Sequence, residues 1–213
     1  AIVSWLGDVY KRQALDYVRP MGLLEEAAKL ENIPAEKLQT EVGAFAKPFE
    51  LLLEQIQQDY RQFALANPRE ADPKTVLKQQ FLLLRWYVDK GFGDRATLLA
   101  REWIVSMLCL AQDADYLKRE DRQLVEYQLN LLDKWQQKKR DNAPMADYSP
   151  MSITKAVTDV EKLAKFWSNL TEFRNDLAHA EMRKESLSSA TLKAYVNDKL
   201  MQGITALFPD MVG

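Results

Sequence analysis

The stretch VEKLAKFWSNLTEFRNDLAHA, residues 160–180, sets the reading of the whole chain. Val160, Leu163, Phe166, Trp167 and Leu170 recur at the three- and four-residue spacing of one helix face, and Val157 extends that face upstream. The predicted helical region runs from Ser152 to Arg183 and carries Phe173-Arg174-Asn175-Asp176-Leu177-Ala178-His179-Ala180. His179 is the single histidine of 213 residues, and it follows Arg174 by five positions, with Asn175 directly after the arginine. A permanently charged guanidinium, an imidazole that titrates near neutral pH and a polar amide suit phosphoryl-transfer chemistry. The arginine can offset charge on a phosphate, and the histidine can move a proton. The same residues also have structural uses. Arg174 could pair with Glu172 or Asp176, and a lone histidine could sit at the surface or be satisfied in a core.

Helix geometry adds a constraint. Positions i and i+5 lie roughly 140° apart around one helix, so an intact helix does not aim Arg174 and His179 at one point. A working site needs a helix end at the motif or a second copy of it. Two-fold pairing of identical chains supplies the second copy, and a homodimer is expected.

Working outward, the composition is that of a helical globular protein. Apolar residues make up 47% and charged residues 28%, and there are only seven glycines. Leu, Ala, Glu, Lys and Gln dominate, which favours helix. One cysteine, Cys109, excludes an internal disulfide and fits a reducing cytoplasm. One histidine and one cysteine fall short of the four N or S ligands of structural zinc, which leaves carboxylate-held magnesium open. The longest apolar run, Trp103 to Leu110, is too short to span a membrane. The net charge of −2 argues against a long nucleic-acid footprint, so any RNA contact is local.

Residues 1–13 stand apart. Val3 to Gln13 resembles the in-frame translation of a transposon-type sequencing adapter, so this segment is read as non-native. Residues 14–44 are read as a helical remnant or linker from a missing N-terminal domain, and 45–213 as one helical domain. Leu23, Leu24, Ala27, Ala28 and Leu30 share a helical spacing, and Pro34 opens a second short helix. A long amphipathic pattern follows from Phe45 to Ala66. After a loop, Asp72-Pro73 reads as N-cap and first helical residue, and Gly91 as a C-terminal cap. The helix from about Arg95 to Gln112 is the most apolar, with Leu98, Leu99, Trp103, Ile104, Met107 and Leu108 expected inside. Within it Arg101 and Glu102 make either a structural ion pair or part of a cleft. Asp121 to Gln137 is expected to make a further helix through Leu124, Val125, Tyr127, Leu131, Leu132 and Trp135. The run Lys134 to Arg140 either holds RNA or complements a helix C-terminus. Thr191 to Phe208 closes the chain as an amphipathic helix. No period-2 alternation, internal repeat or glycine-rich phosphate loop appears, and the architecture is expected to be an all-α bundle.

Arg-x4-His on such a helix resembles the motif of HEPN ribonucleases. Leu84-Arg85-Trp86-Tyr87, Leu99-Ala100-Arg101-Glu102-Trp103 and Phe173 to Arg183 together resemble the HEPN half of type III CRISPR-associated CARF–HEPN proteins. The likeness covers roughly residues 45–183. It implies metal-independent cutting of single-stranded RNA by a dimer, with no cofactor. Cyclic oligoadenylate would act through the CARF domain, which this chain lacks. Arg174 and His179 would be the catalytic pair, with Asn175 orienting it. Two other readings remain: a non-catalytic HEPN-like dimerisation module, and an unrelated bundle with a chance Arg-x4-His.

Overall fold

The computed structural model describes residues 18–32, 47–140, 153, 157, 159–179 and 187–211. Among these residues every regular element is helical and no strand occurs, as the composition and spacing predict. The chain divides into two compact units between Leu83 and Leu84, and each is described by itself. The expected non-native residues 1–13 and the helix start at Pro34 lie outside the described residues.

In the first unit, α1 (Pro20–Glu31) opens on its proline and buries the five predicted residues Leu23, Leu24, Ala27, Ala28 and Leu30. Helix α2 (Lys47–Arg61) lies against α1. The Gln57 amide donates to the Leu30 carbonyl at 3.0 Å, and Leu65 N–H donates to Leu24 O at 3.1 Å. The first satisfies a carbonyl in the last turn of α1, and the second ties the chain that follows α2 back to α1. Asp72 caps α3 (Pro73–Asp89): its Oδ2 accepts from Thr75 N–H at 3.0 Å and from Thr75 Oγ1 at 3.2 Å.

The second unit begins within α3, whose end follows from Gly91. With φ of 77°, Gly91 adopts the left-handed conformation that side chains resist. Its N–H donates to Val88 O at 3.0 Å, and Phe92 N–H donates to Tyr87 O at 2.8 Å. This is a Schellman closure, completed by the edge-on contact of the Tyr87 and Phe92 rings. Helix α4 (Gly93–Ala111) then runs through the core, with Trp103, Ile104, Val105, Leu108 and Cys109 fully buried.

Two helices expose part of their predicted apolar pattern. Leu98 is 40% exposed rather than buried, since it shares a wet stripe of α4 with exposed Glu102, one turn on. On α5 (Arg119–Arg140), Leu124 and Tyr127 are 57% and 61% exposed. The buried column is Val125, Leu129 and Leu132, while Leu131 is only half-buried. The two apolar stripes lie about one residue apart around the helix, and spacing alone does not say which one the neighbours cover. The Trp135 side chain lies outside the described residues.

Helix α6 (Val160–His179) starts where Asp159 Oδ1 accepts from Lys162 N–H at 2.8 Å. It packs on α4 and α5 through Leu163, Ala164, Phe166, Trp167 and Leu170, whereas Val160 is only half-buried. The expected final helix is present with an unanticipated widening. It consists of α7 (Ser189–Ala194), a π-helical segment Tyr195–Leu200, and α8 (Met201–Leu207). Ser188 caps α7 by accepting from Thr191 N–H at 3.1 Å. Trp103 and Phe208 meet edge to face at 5.4 Å and pin the end of α8 to the core.

Gly203 sits where α8 meets α6, and a Cβ there would run into the buried Phe166 ring. Gly203→Ala is expected to lower stability by about 1–2 kcal/mol in urea unfolding. Overpacking costs ~1–3 kcal/mol, and the better helix propensity of Ala offsets up to ~1 kcal/mol of it.

Candidate active site

Leu163, Trp167, Leu170 and Arg174 fall at i, i+4, i+7 and i+11, on one column of α6. The first three are buried and Arg174 is exposed. The core-facing column of the motif helix thus runs out of cover at the arginine, two turns beyond Trp167. A column that leaves the core on a charged residue is available to something outside the fold.

The guanidinium is not neutralised by a neighbour on its own helix. Its Nη1 donates to Asn175 Oδ1 at 3.1 Å, and among the described residues it forms no ion pair with Glu172 or Asp176. Asp176 is engaged elsewhere. It is 3% exposed, and its Oδ1 accepts from Leu187 N–H at 3.1 Å, tying the chain that returns from the motif to the motif's own turn. Asp176→Ala would strand the Leu187 amide, at a cost of ~1–3 kcal/mol. Asp176→Asn keeps an acceptor and is expected to retain most of that stability. Thermal melts of the two variants check this.

A second clamp acts on the same turn. The Phe173 and Tyr195 rings stack at 3.8 Å with 15° between their planes, which fixes the residue before Arg174 onto the π-helical segment. Burial raises the Tyr195 phenol above its ordinary range, so it stays protonated and acts as a packing group.

His179 is the last described residue of α6, and its side chain lies outside the described residues. Its register is nonetheless set. Asn175 and His179 are i and i+4, hence neighbours on one helix face, while Asn175 also holds the arginine. Asn175 therefore lies beside the arginine that it holds and one helical turn before His179.

No protein-family model, curated protein or solved structure matches this chain.

Arg101 and Glu102 take their structural role. Arg101 donates to Glu126 Oε1 and Oε2 at 3.3 and 3.2 Å and to Glu102 Oε1 at 3.0 Å. Arg122 Nη2 meets Glu102 Oε2 at 2.6 Å, and its Nη1 donates to Ser106 Oγ and Tyr116 O at 2.7 and 2.9 Å. Two cations and two carboxylates thus balance each other between α4 and α5. Arg101 also lies over the Trp167 ring at 5.1 Å, about 10 Å along α6 from Arg174. Such a network fixes the motif helix in place and has no spare charge for a substrate. The basic run is helical through Arg140 with Lys134 exposed, and the side chains of residues 135–140 lie outside the described residues.

Among the described residues no group of three or more His, Cys, Asp or Glu side chains gathers to hold a metal ion, and no helix is long and apolar enough to cross a membrane. Spacing reasoning picked out Arg174 and Asn175. It missed Asp176 as an anchor and Tyr195 as a clamp, because both act through partners distant in the chain.

Proposed function

We propose that this chain is the effector part of a HEPN-type endoribonuclease that cuts single-stranded RNA without a metal ion. Arg174, Asn175 and His179 from two copies of the chain would form the site. The setting implied by the resemblance is type III CRISPR defence, with cyclic oligoadenylate sensed by a CARF domain. One observation carries the reading: Arg174 is exposed at the end of a core-facing column and is held by a neutral amide rather than a carboxylate. A carboxylate partner would cancel its charge and repel a phosphate, whereas the Asn175 carbonyl orients the guanidinium and leaves its charge for the substrate.

The chemistry follows from these groups. The ribose 2′-oxygen attacks the adjacent phosphorus as the bond to the 5′-oxygen breaks. His179 takes the 2′-proton or supplies one to the leaving 5′-oxygen, and Arg174 stabilises the extra negative charge on the phosphoryl oxygens. The products are a 2′,3′-cyclic phosphate and a 5′-hydroxyl. The angular separation of the pair on one helix is the reason for two copies: a facing helix brings the arginine of one chain toward the histidine of the other.

Mixing two inactive variants tests the composite site. Arg174→Ala and His179→Ala proteins, each slowed at least about 10²-fold alone, should regain RNA cutting when unfolded and refolded together. A mixture no faster than its components, while size measurements show that the chains have exchanged, would contradict the shared site.

A further inference from the structure

Beside the motif turn lies a cleft of about 550 Å³, entirely within the second unit. Leu177 of α6 forms one wall, the Lys90-Gly91 turn and Asp94 a second, and Lys193, Val196 and Asn197 the third. Its volume falls in the range of small-molecule sites, ~300–1,000 Å³. The third wall is where the final helix widens into its π-helical segment, a distortion that recurs at functional sites.

Resting on the function proposed above, we infer that this cleft binds one nucleobase of the RNA next to the scissile phosphate, and prefers a base that bears an exocyclic amine. Position comes first. Leu177 stands at i+3 from Arg174, so their Cβ atoms are about 5–6 Å apart, close enough for one nucleotide to touch both. Chemistry comes next. Buried Val196 and half-buried Leu177 offer an apolar surface to the face of a base. Asp94 and Asn197, both exposed at the rim, offer acceptors to its edge. Carboxylate and amide oxygens take a hydrogen bond from the amine of adenine, cytosine or guanine, and uracil has no such amine. Lys193, also exposed at the rim, can meet the backbone phosphate attached to that nucleotide.

Calorimetric titration of the full chain with adenosine 3′-monophosphate, uridine 3′-monophosphate, adenosine and inorganic phosphate tests the inference without requiring cleavage. The adenine nucleotide should bind about tenfold more tightly than the uracil nucleotide, the scale of one base-edge contact. Asn197→Trp fills the cleft from an exposed position and should abolish that preference. Lys193→Glu should weaken the adenine nucleotide but not adenosine. Equal binding of the two nucleotides, binding of phosphate as tight as that of the adenine nucleotide, or unchanged selectivity in both variants would overturn the inference. The two proposals fail separately. Base-selective binding by a protein that leaves RNA intact removes the ribonuclease and keeps the nucleotide site. RNA cutting without base-selective binding removes the cleft and keeps the ribonuclease.

Discussion

Replacing Arg174 with alanine is expected to slow RNA cutting by about 10²–10³-fold, the usual cost of losing one preorganised group that stabilises charge in the transition state. The substitution removes an exposed side chain whose described hydrogen bond is to Asn175, so the fold should be unaffected and melting temperature unchanged. Arg174→Lys is a sharper probe. Lysine keeps the charge but loses the planar fork that accepts orientation from Asn175 Oδ1 and meets two phosphoryl oxygens at once, so it should recover only part of the rate. His179→Ala should cost about 10²–10⁴-fold through loss of proton transfer. The double variant should be little worse than the more damaging single one, since residues that act as a unit are not additive. Single-turnover cleavage of a labelled RNA measures all four.

Trp167→Ala is expected to give the largest loss of stability, about 3–5 kcal/mol. Trp167 is 1% exposed, and its indole N–H donates to Asn130 Oδ1 at 3.1 Å while Arg101 covers its ring at 5.1 Å. One side chain therefore links α4, α5 and α6, and truncating it leaves a cavity beside a charged network. Trp167→Phe separates the contributions. It preserves most of the apolar contact and the stacking surface, and forfeits one hydrogen bond worth ~1 kcal/mol along with some volume. Urea titrations should place it between wild type and alanine. Because Trp167 sits on the column that ends at Arg174, the alanine variant should also cut RNA poorly.

The elements that could be read from the sequence are those with local causes. Asp72-Pro73 caps a helix because the cap and its amide lie three residues apart, and Gly91 ends one because its own φ is positive. All-helical architecture follows from spacing and composition in the same way. Burial is legible where one apolar stripe dominates, as on α6, and is not on α5, where two stripes compete and only the packing of α4 and α6 decides between them. The π-helical segment breaks the 3.6-residue pattern without any residue that announces it. At the site, Arg174 and Asn175 were legible as adjacent polar groups on a helix. The Asp176 bond to Leu187 spans 11 residues, and the Phe173–Tyr195 stack joins two helices, so neither leaves a trace in local spacing. What local pattern cannot hold is the tertiary support on either side of Arg174.

The most direct measurement is incubation of a labelled single-stranded RNA in EDTA with the wild-type chain and with His179→Ala, reading the ends of any product. Wild type should yield 2′,3′-cyclic phosphate and 5′-hydroxyl ends, and His179→Ala should cut at least about 10²-fold more slowly. Equal cutting by both proteins, or 5′-phosphate ends from the wild type, would contradict a metal-independent ribonuclease centred on Arg174 and His179.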